Sequence, residues 1–175
     1  MPQIRLAIRA DALPLAVLAE QTFRDTFASD NTAHDMDVHC RASYGEAIQA
    51  DEIASPELIT LVCEADGILI AFAQLRWRHA SPPVVATAPG EIQRLYVDRA
   101  WHGRGIAQRL MQATLDALVE RGCDVVWLGV WERNPTAIAF YTKIGFVAVG
   151  AHTFTVGQDP QRDVIMARPL ARADI

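Results

Sequence analysis

The 175-residue sequence has no apolar run approaching the roughly 20 residues that span a bilayer as a helix. Its start, Met1-Pro-Gln-Ile-Arg-Leu-Ala-Ile-Arg9, lacks the apolar segment of a secretory leader. Cysteine is scarce. Cys40, Cys63 and Cys123 are odd in number and show no Cys-x-x-Cys spacing, which argues against a disulfide framework and fits reduced, buried thiols in a cytoplasmic protein. Positive charge is not in excess: 16 Lys and Arg stand against 21 Asp and Glu, a net charge of −5. That balance argues against nucleic-acid binding and tolerates a cationic substrate. No internal repeat, low-complexity tract or linker interrupts the chain. Two common phosphate loops are also missing. No Gly-Lys-Ser/Thr ending marks a Walker loop, and Gly103-x-Gly105 is followed by Gln108 where a dinucleotide fingerprint needs a third glycine.

What remains is ordinary globular material, 51% hydrophobic and 21% charged, sized for a single domain over residues 1–175. Ile4–Ile8 alternates as a first strand, and Asp11 heads a helix carrying Leu15, Leu18, Ala19 and Phe23. Ser29–Asp37 is a polar break, and a second helix is expected from about Asp37 to Gln49. Leu58–Cys63 and Ile68–Trp77 form a hairpin about Asp66-Gly67. After a proline-bearing loop, His79–Gly90, come a strand at Glu91–Val97, a helix from Ile106 towards Gly122, and a strand at Val125–Val130. Asn134-Pro135 opens another helix, since Asn is a favoured cap and Pro a favoured first residue; Gly145 ends it. Phe146–Val156 and Asp163–Leu170 read as a last hairpin turning at Gly157–Pro160. The order β-α-α-β-β-β-α-β-α-β-β predicts an α/β fold, a mixed sheet with helices on both faces.

The centre of the chain is Glu91-Ile-Gln-Arg-Leu-Tyr-Val-Asp-Arg-Ala-Trp-His-Gly-Arg-Gly-Ile-Ala-Gln108, a strand, a glycine-bearing turn and a helix start. A helix start leaves its first N–H groups unpaired, and glycines remove the Cβ atoms that would block a ligand. With the helix dipole and Arg104 added, the turn is suited to phosphate oxygens.

The segment Arg94-Leu-Tyr-Val…Trp101-His-Gly-Arg-Gly-Ile-Ala resembles the acetyl-CoA pyrophosphate motif of the GNAT N-acetyltransferases. Asn134-Pro-Thr-Ala-Ile-Ala-Phe-Tyr-Thr-Lys-Ile-Gly-Phe146 is similar to their second signature, Asn-x-x-Ala-x-x-x-Tyr-x-x-x-Gly-Phe, in matching order and separation. One departure stands out: His102 occupies a place where the family usually carries Gln or Arg. The resemblance implies the GNAT fold and acetyl-CoA as co-substrate, with no metal. Backbone groups of Leu95, Tyr96 and Val97 would pair with the pantetheine arm, and amides of Gly103, Arg104, Gly105, Ile106, Ala107 and Gln108 would hold the pyrophosphate. Asn134 would contact the cofactor arm as well as cap its helix. His102 is equally readable as a donor to the cofactor or a solvated turn residue, and Lys143 as a phosphate contact or a solvated helix end.

Transfer of an acetyl group to an amine expels a thiolate. A tyrosine hydroxyl, protonated at neutral pH, can supply its proton, and Tyr141 takes the family's general-acid position. An ammonium must also lose a proton before attack, and Glu91 takes the place of the base by the same analogy; a plain strand-end glutamate would look alike in sequence. His34 and His39, five apart without a cysteine partner, do not make a metal site. Asp25, Asp30, Asp35 and Asp37 in the same region can attract a polyamine or form a solvated acidic face. Thr22-Phe-Arg-Asp-Thr-Phe27, Trp127–Tyr141, Gly150-Ala-His-Thr-Phe154 and Asp163–Arg168 resemble the bacterial spermine/spermidine acetyltransferase branch, which implies a polyamine acceptor. The alternatives are a protein N-terminal or lysine acetyltransferase and a non-catalytic CoA-binding module. Family members often form homodimers, a possibility the resemblance extends to this chain.

Overall fold

The computed structural model describes residues 1–170. Seven strands form one sheet in the order β1-β2-β3-β4-β5-β7-β6. In chain order the elements are β1 (Gln3–Leu6), α1 (Ala12–Phe27), α2 (Ala33–Ser43), α3 (Glu46–Ala54), β2 (Leu58–Ala65), β3 (Ile68–Trp77) and β4 (Pro89–Val97). They continue as α4 (Ile106–Glu120), β5 (Val125–Trp131), α5 (Pro135–Lys143), β6 (Val147–Val156) and β7 (Asp159–Pro169). All neighbours pair antiparallel except β4 and β5. The single parallel pair needs a crossover, which α4 supplies.

Each face of the sheet has its own apolar layer, because strand residues alternate sides while helices present a stripe. On one face Ile106, Leu110, Met111 and Leu118 of α4 and Tyr141 of α5 pack on Leu61, Ala71, Leu75, Val126 and Leu128. On the other, Leu15, Leu18, Phe23 and Phe27 of α1 and Met36 and Cys40 of α2 pack on Val62, Phe72 and Trp131. The cysteines Cys40, Cys63 and Cys123 are free and buried. No helix among the described residues is long and apolar enough to cross a membrane.

Two sequence expectations are corrected. The helix expected over Asp37–Gln49 is two helices, and the first begins inside the expected polar break. Thr32 caps it by accepting the Asp35 N–H at 3.1 Å. Tyr44 then turns extended, at φ −130° and ψ 133°, and the buried Gln49 side chain closes the break. It accepts the Gly45 N–H at 2.8 Å and donates to the Ser43 carbonyl at 3.0 Å. The final hairpin is also tighter than expected. Gly157, at φ +61°, and Gln158 turn the chain, so β7 begins at Asp159, four residues before Asp163. Asp35 of α2 steadies the turn by accepting the Gln158 N–H at 2.9 Å.

The feature that positions the site is a splay in the middle of the sheet. β4 and β5 pair only from Pro89 opposite Val125 to Ile92 opposite Leu128. Beyond that β4 runs on to Val97 along β3, and β5 runs on to Trp131 along β7. The β3–β4 register slips between Gln74 and Leu75, which leaves Gln93 as an extra residue on β4. Such a bulge bends its strand and sharpens its twist, and here it lies at the point where β4 leaves β5.

Candidate active site

The splay opens a cavity of about 1090 Å³. The edges of β4 and β5, the starts of α4 and α5, the end of α1 and side chains of β6 and β7 line it. At one end, Gly103 and Gly105 both sit at φ +75°, in the left-handed region that favours glycine. A Cβ built at either position meets no atom within 4 Å, so these glycines serve backbone shape and open space rather than tight packing. Gly105 caps α4 without a side chain. The N–H groups of Ile106, Ala107 and Gln108 therefore begin the helix with no intrahelical acceptor, and all three residues line the cavity.

The other cofactor-side candidates divide. Leu95, Tyr96 and Val97 lie on β4 past its last pairing with β5 and line the cavity. His102 also lines it, but its Nε2 donates to the Val97 carbonyl at 2.9 Å. The histidine thus fastens the strand end to the glycine turn. Asn134 lines the cavity and accepts the Ala137 N–H through Oδ1 at 3.1 Å, the expected cap. Arg104 stacks on the Trp101 ring, 4.9 Å from its centroid, and only its backbone belongs to the turn. Lys143 is exposed at the end of α5 and does not line the cavity.

Tyr141 is 9% exposed and lines the cavity from the α4–α5 side. Phe140 and Phe146 meet its ring edge-on at centroid distances of 5.4 and 5.7 Å, which fixes its direction. Burial raises its pKa, and the neighbouring Tyr96 adds to the rise; the phenol stays protonated well into the alkaline range. Burial likewise pushes Tyr96 up to about 12, with Arg94 opposing and Asp163 reinforcing.

Glu91 also lines the cavity, from the opposite face of the sheet. It is 8% exposed, and its Oε2 accepts from Arg76 Nε, its register partner on β3. On that face Asp25, near the end of α1, and Asp30, in the turn that follows, form part of the wall. Asp35 and Asp37 are elsewhere: Asp35 holds the β6–β7 turn, and Asp37 accepts from Arg24 at 2.8 Å. His39 stacks on Phe23 with ring centroids 4.1 Å apart. Burial lowers its pKa, Arg94 helps, and a hydrogen bond to the Thr155 backbone opposes.

These observations, a splayed sheet with a glycine-turned helix start at the opening, meet a decisive comparison. The sequence model of the Acetyltransferase (GNAT) family matches residues 21–146. The chain belongs to the GNAT family. An uncharacterized N-acetyltransferase of Lactobacillus delbrueckii subsp. lactis is 30% identical over 153 residues, covering 87% of this chain and 88% of its own. An uncharacterized N-acetyltransferase of Mycobacterium tuberculosis is 32% identical over 164 residues, covering 91% and 98%. Among solved structures, the PaiA N-acetyltransferase of Thermoplasma acidophilum in complex with coenzyme A has a TM-score of 0.78 at 21% identity, covering 97% of this chain and 99% of that one. It shares the fold. The protein is an acetyl-CoA-dependent N-acetyltransferase of the GNAT type.

The residues present suit that donor. The uncapped helix start and its two left-handed glycines form an anion cradle, and the free edge of β4 offers peptide groups to an extended amide-bearing arm. Among the cavity residues not recognised as site members from the sequence are Arg76, His152 and Asp163. His152 and Asp163 sit within segments quoted for the branch resemblance, but their meeting depends on the β6–β7 register.

Proposed function

We propose that this acetyltransferase acetylates a primary amine of a polyamine, with Tyr141 as general acid and Glu91 as a proton acceptor. The observation that carries the reading is the set of carboxylates in the acceptor half of the cavity. Asp25 lies in the last turn of α1, Asp30 in the short turn after it, and Glu91 and Asp163 lie on the sheet. A polyamine presents several ammonium groups along one flexible chain, and spaced carboxylates match that pattern. Asp30 shares its charge with Arg133 at 3.7 Å, which leaves Asp25 as the freer rim carboxylate.

Bound acetyl-CoA supplies an activated acyl group and a thiolate leaving group. The amides of Ile106, Ala107 and Gln108 hold the pyrophosphate, and the β4 edge from Leu95 to Val97 orients the arm. The Asn134 Oδ1 atom is committed to its helix, so its NH₂ group is the one that faces the cofactor. Arg76 holds one oxygen of Glu91, and the other is left to draw in the ammonium and accept its proton. Tyr141 gives its hydroxyl proton to the departing sulfur. The three buried reduced thiols suit a cytoplasmic setting.

The test is CoA release from acetyl-CoA with spermidine, spermine, small amines and N-terminal peptides, for the wild type and Tyr141→Phe. Turnover on polyamines is expected, with kcat falling about hundred-fold or more in the variant while acetyl-CoA binding persists. Turnover on peptides alone would make the protein an N-terminal or lysine acetyltransferase. Binding without turnover on any amine would make it a regulatory CoA-binding module, and an unchanged variant would remove Tyr141 as the acid.

A further inference from the structure

On the acceptor face of the sheet, the β6–β7 register sets His152 opposite Asp163. The His152 Nε2 atom lies 3.6 Å from Asp163 Oδ2. The Asp163 side chain is 11% exposed and that of His152 36%, so the carboxylate backs the imidazole and the imidazole meets solvent. Asp163 Oδ1 is buried without a hydrogen-bond partner, an arrangement that costs free energy and calls for a reason. The adjoining strand makes room for the pair. A Cβ on Gly129 of β5 would stand 3.0 Å from both Asp163 Oδ2 and His152 Nε2. Gly129, His152 and Asp163 all line the cavity that holds Glu91 and Tyr141.

We propose that His152, oriented and charge-balanced by Asp163, is a second proton acceptor for the acetyl transfer. It takes a proton from the acceptor ammonium directly or through one water. The proposal rests on the amine-acetyltransferase reading above. With Glu91 holding the ammonium, one proton passes to His152 Nδ1, the ring nitrogen that does not face Asp163, and the freed lone pair forms the N–C bond as the C–S bond breaks. Tyr141 protonates the sulfur and is restored by the second proton leaving the nitrogen. One proton remains on the imidazole, beside the carboxylate, and passes to solvent. Asp163 is a positioning residue in this scheme.

The other charged groups lining this cavity are Asp25 of α1 and Asp30 just after it, Arg76 on β3, Glu91 and Arg94 on β4, and Arg133 after β5. Arg99 lines it near the glycine turn, and His102, the other imidazole there, is engaged by the Val97 carbonyl.

The experiment is the kcat/KM–pH profile with the preferred amine for wild type, His152→Gln, Asp163→Asn and Gly129→Ala, with acetyl-CoA binding measured in parallel. The wild type should lose activity as pH falls and the proton acceptor becomes protonated. His152→Gln should lose that limb and run about hundred-fold slower at pH 8, with binding of acetyl-CoA retained. Gly129→Ala should give the same direction of change by forcing the pair apart. A wild-type profile in His152→Gln, or in Asp163→Asn, would overturn the proposal while the acetyltransferase reading stands. Absence of turnover by the wild type on every amine would remove that reading and this proposal with it.

Discussion

Arg76 and Glu91 face each other across the β3–β4 ladder, and the guanidinium Nε donates to the carboxylate Oε2. Neither is a solvated surface charge: their side chains are 33% and 11% exposed. Removing one partner of such a pair strands the other in a poorly solvated place. Arg76→Met is therefore expected to cost about 1–3 kcal/mol in urea unfolding, tempered by the partial exposure of the arginine. The double variant Arg76→Met/Glu91→Leu should recover much of that loss while leaving catalysis impaired. A stability unchanged by Arg76→Met would mean that solvent already screens the carboxylate.

The glycine turn makes a separate prediction, because Gly105 stands at φ +75° with open space where a Cβ would go. Gly105→Ala should cost about 1 kcal/mol of stability from the left-handed backbone alone. Its effect on acetyl-CoA should be larger, since the new methyl group occupies the approach to the Ile106–Gln108 amides. Calorimetric titration should show Kd raised at least about tenfold. Equal losses in binding and stability would count against the cradle.

These two sites were not equally legible in the sequence. The cofactor half rests on local chemistry: two glycines that tolerate positive φ, and an Asn-Pro pair that caps a helix where it stands. Both operate within a few residues of chain. The acceptor half depends on registers between distant strands. Arg76 meets Glu91 through a bulged ladder, and His152 meets Asp163 through a hairpin whose turn is tighter than the Gly-to-Pro spacing suggests. Polar residues in a strand do not announce their partners. Lys143 and Arg104 show the opposite failure: both stand next to motif residues, yet helix geometry and stacking on Trp101 carry their side chains away from the cavity.

The break between α2 and α3 shows a similar limit. Gln49 reads as an ordinary polar helix position, yet it is 1% exposed and bonds the Gly45 N–H, the Ser43 carbonyl and Glu52. Its amide substitutes for helical hydrogen bonds across the break. Gln49→Leu would keep the volume and orphan those backbone groups. A loss of about 2–4 kcal/mol in urea unfolding is expected, with hydrogen exchange at Gly45 accelerated more than exchange in α4. Near-neutral stability would show that water replaces the side chain there.

Alkaline stability follows from the tyrosines and cysteines together. The chain has three tyrosines, and burial raises the pKa of each: Tyr44, Tyr96, the latter to about 12, and Tyr141. Burial also raises Cys40, Cys63 and Cys123. A group whose pKa is higher in the folded state than in the unfolded one leaves the unfolded chain with fewer bound protons once pH passes the unfolded value. Stability then falls with pH. These six groups stabilise fully below the ordinary thiol and phenol range, and their contribution is lost as pH climbs towards their folded values. Lys143 is the single lysine, so ammonium titration does little to mask the effect. The urea midpoint should thus hold steady up to about pH 8.5 and decline beyond it, around the unfolded cysteine and tyrosine values. Tyrosinate absorbance in the native protein should stay absent at pH 10.5 and rise only as the chain unfolds. A smooth tyrosinate titration centred at pH 10, with the urea midpoint unmoved, would show that the three rings are solvated after all. Tyr141 would then be open to water, and the packing that aims its hydroxyl into the cavity would have to be abandoned.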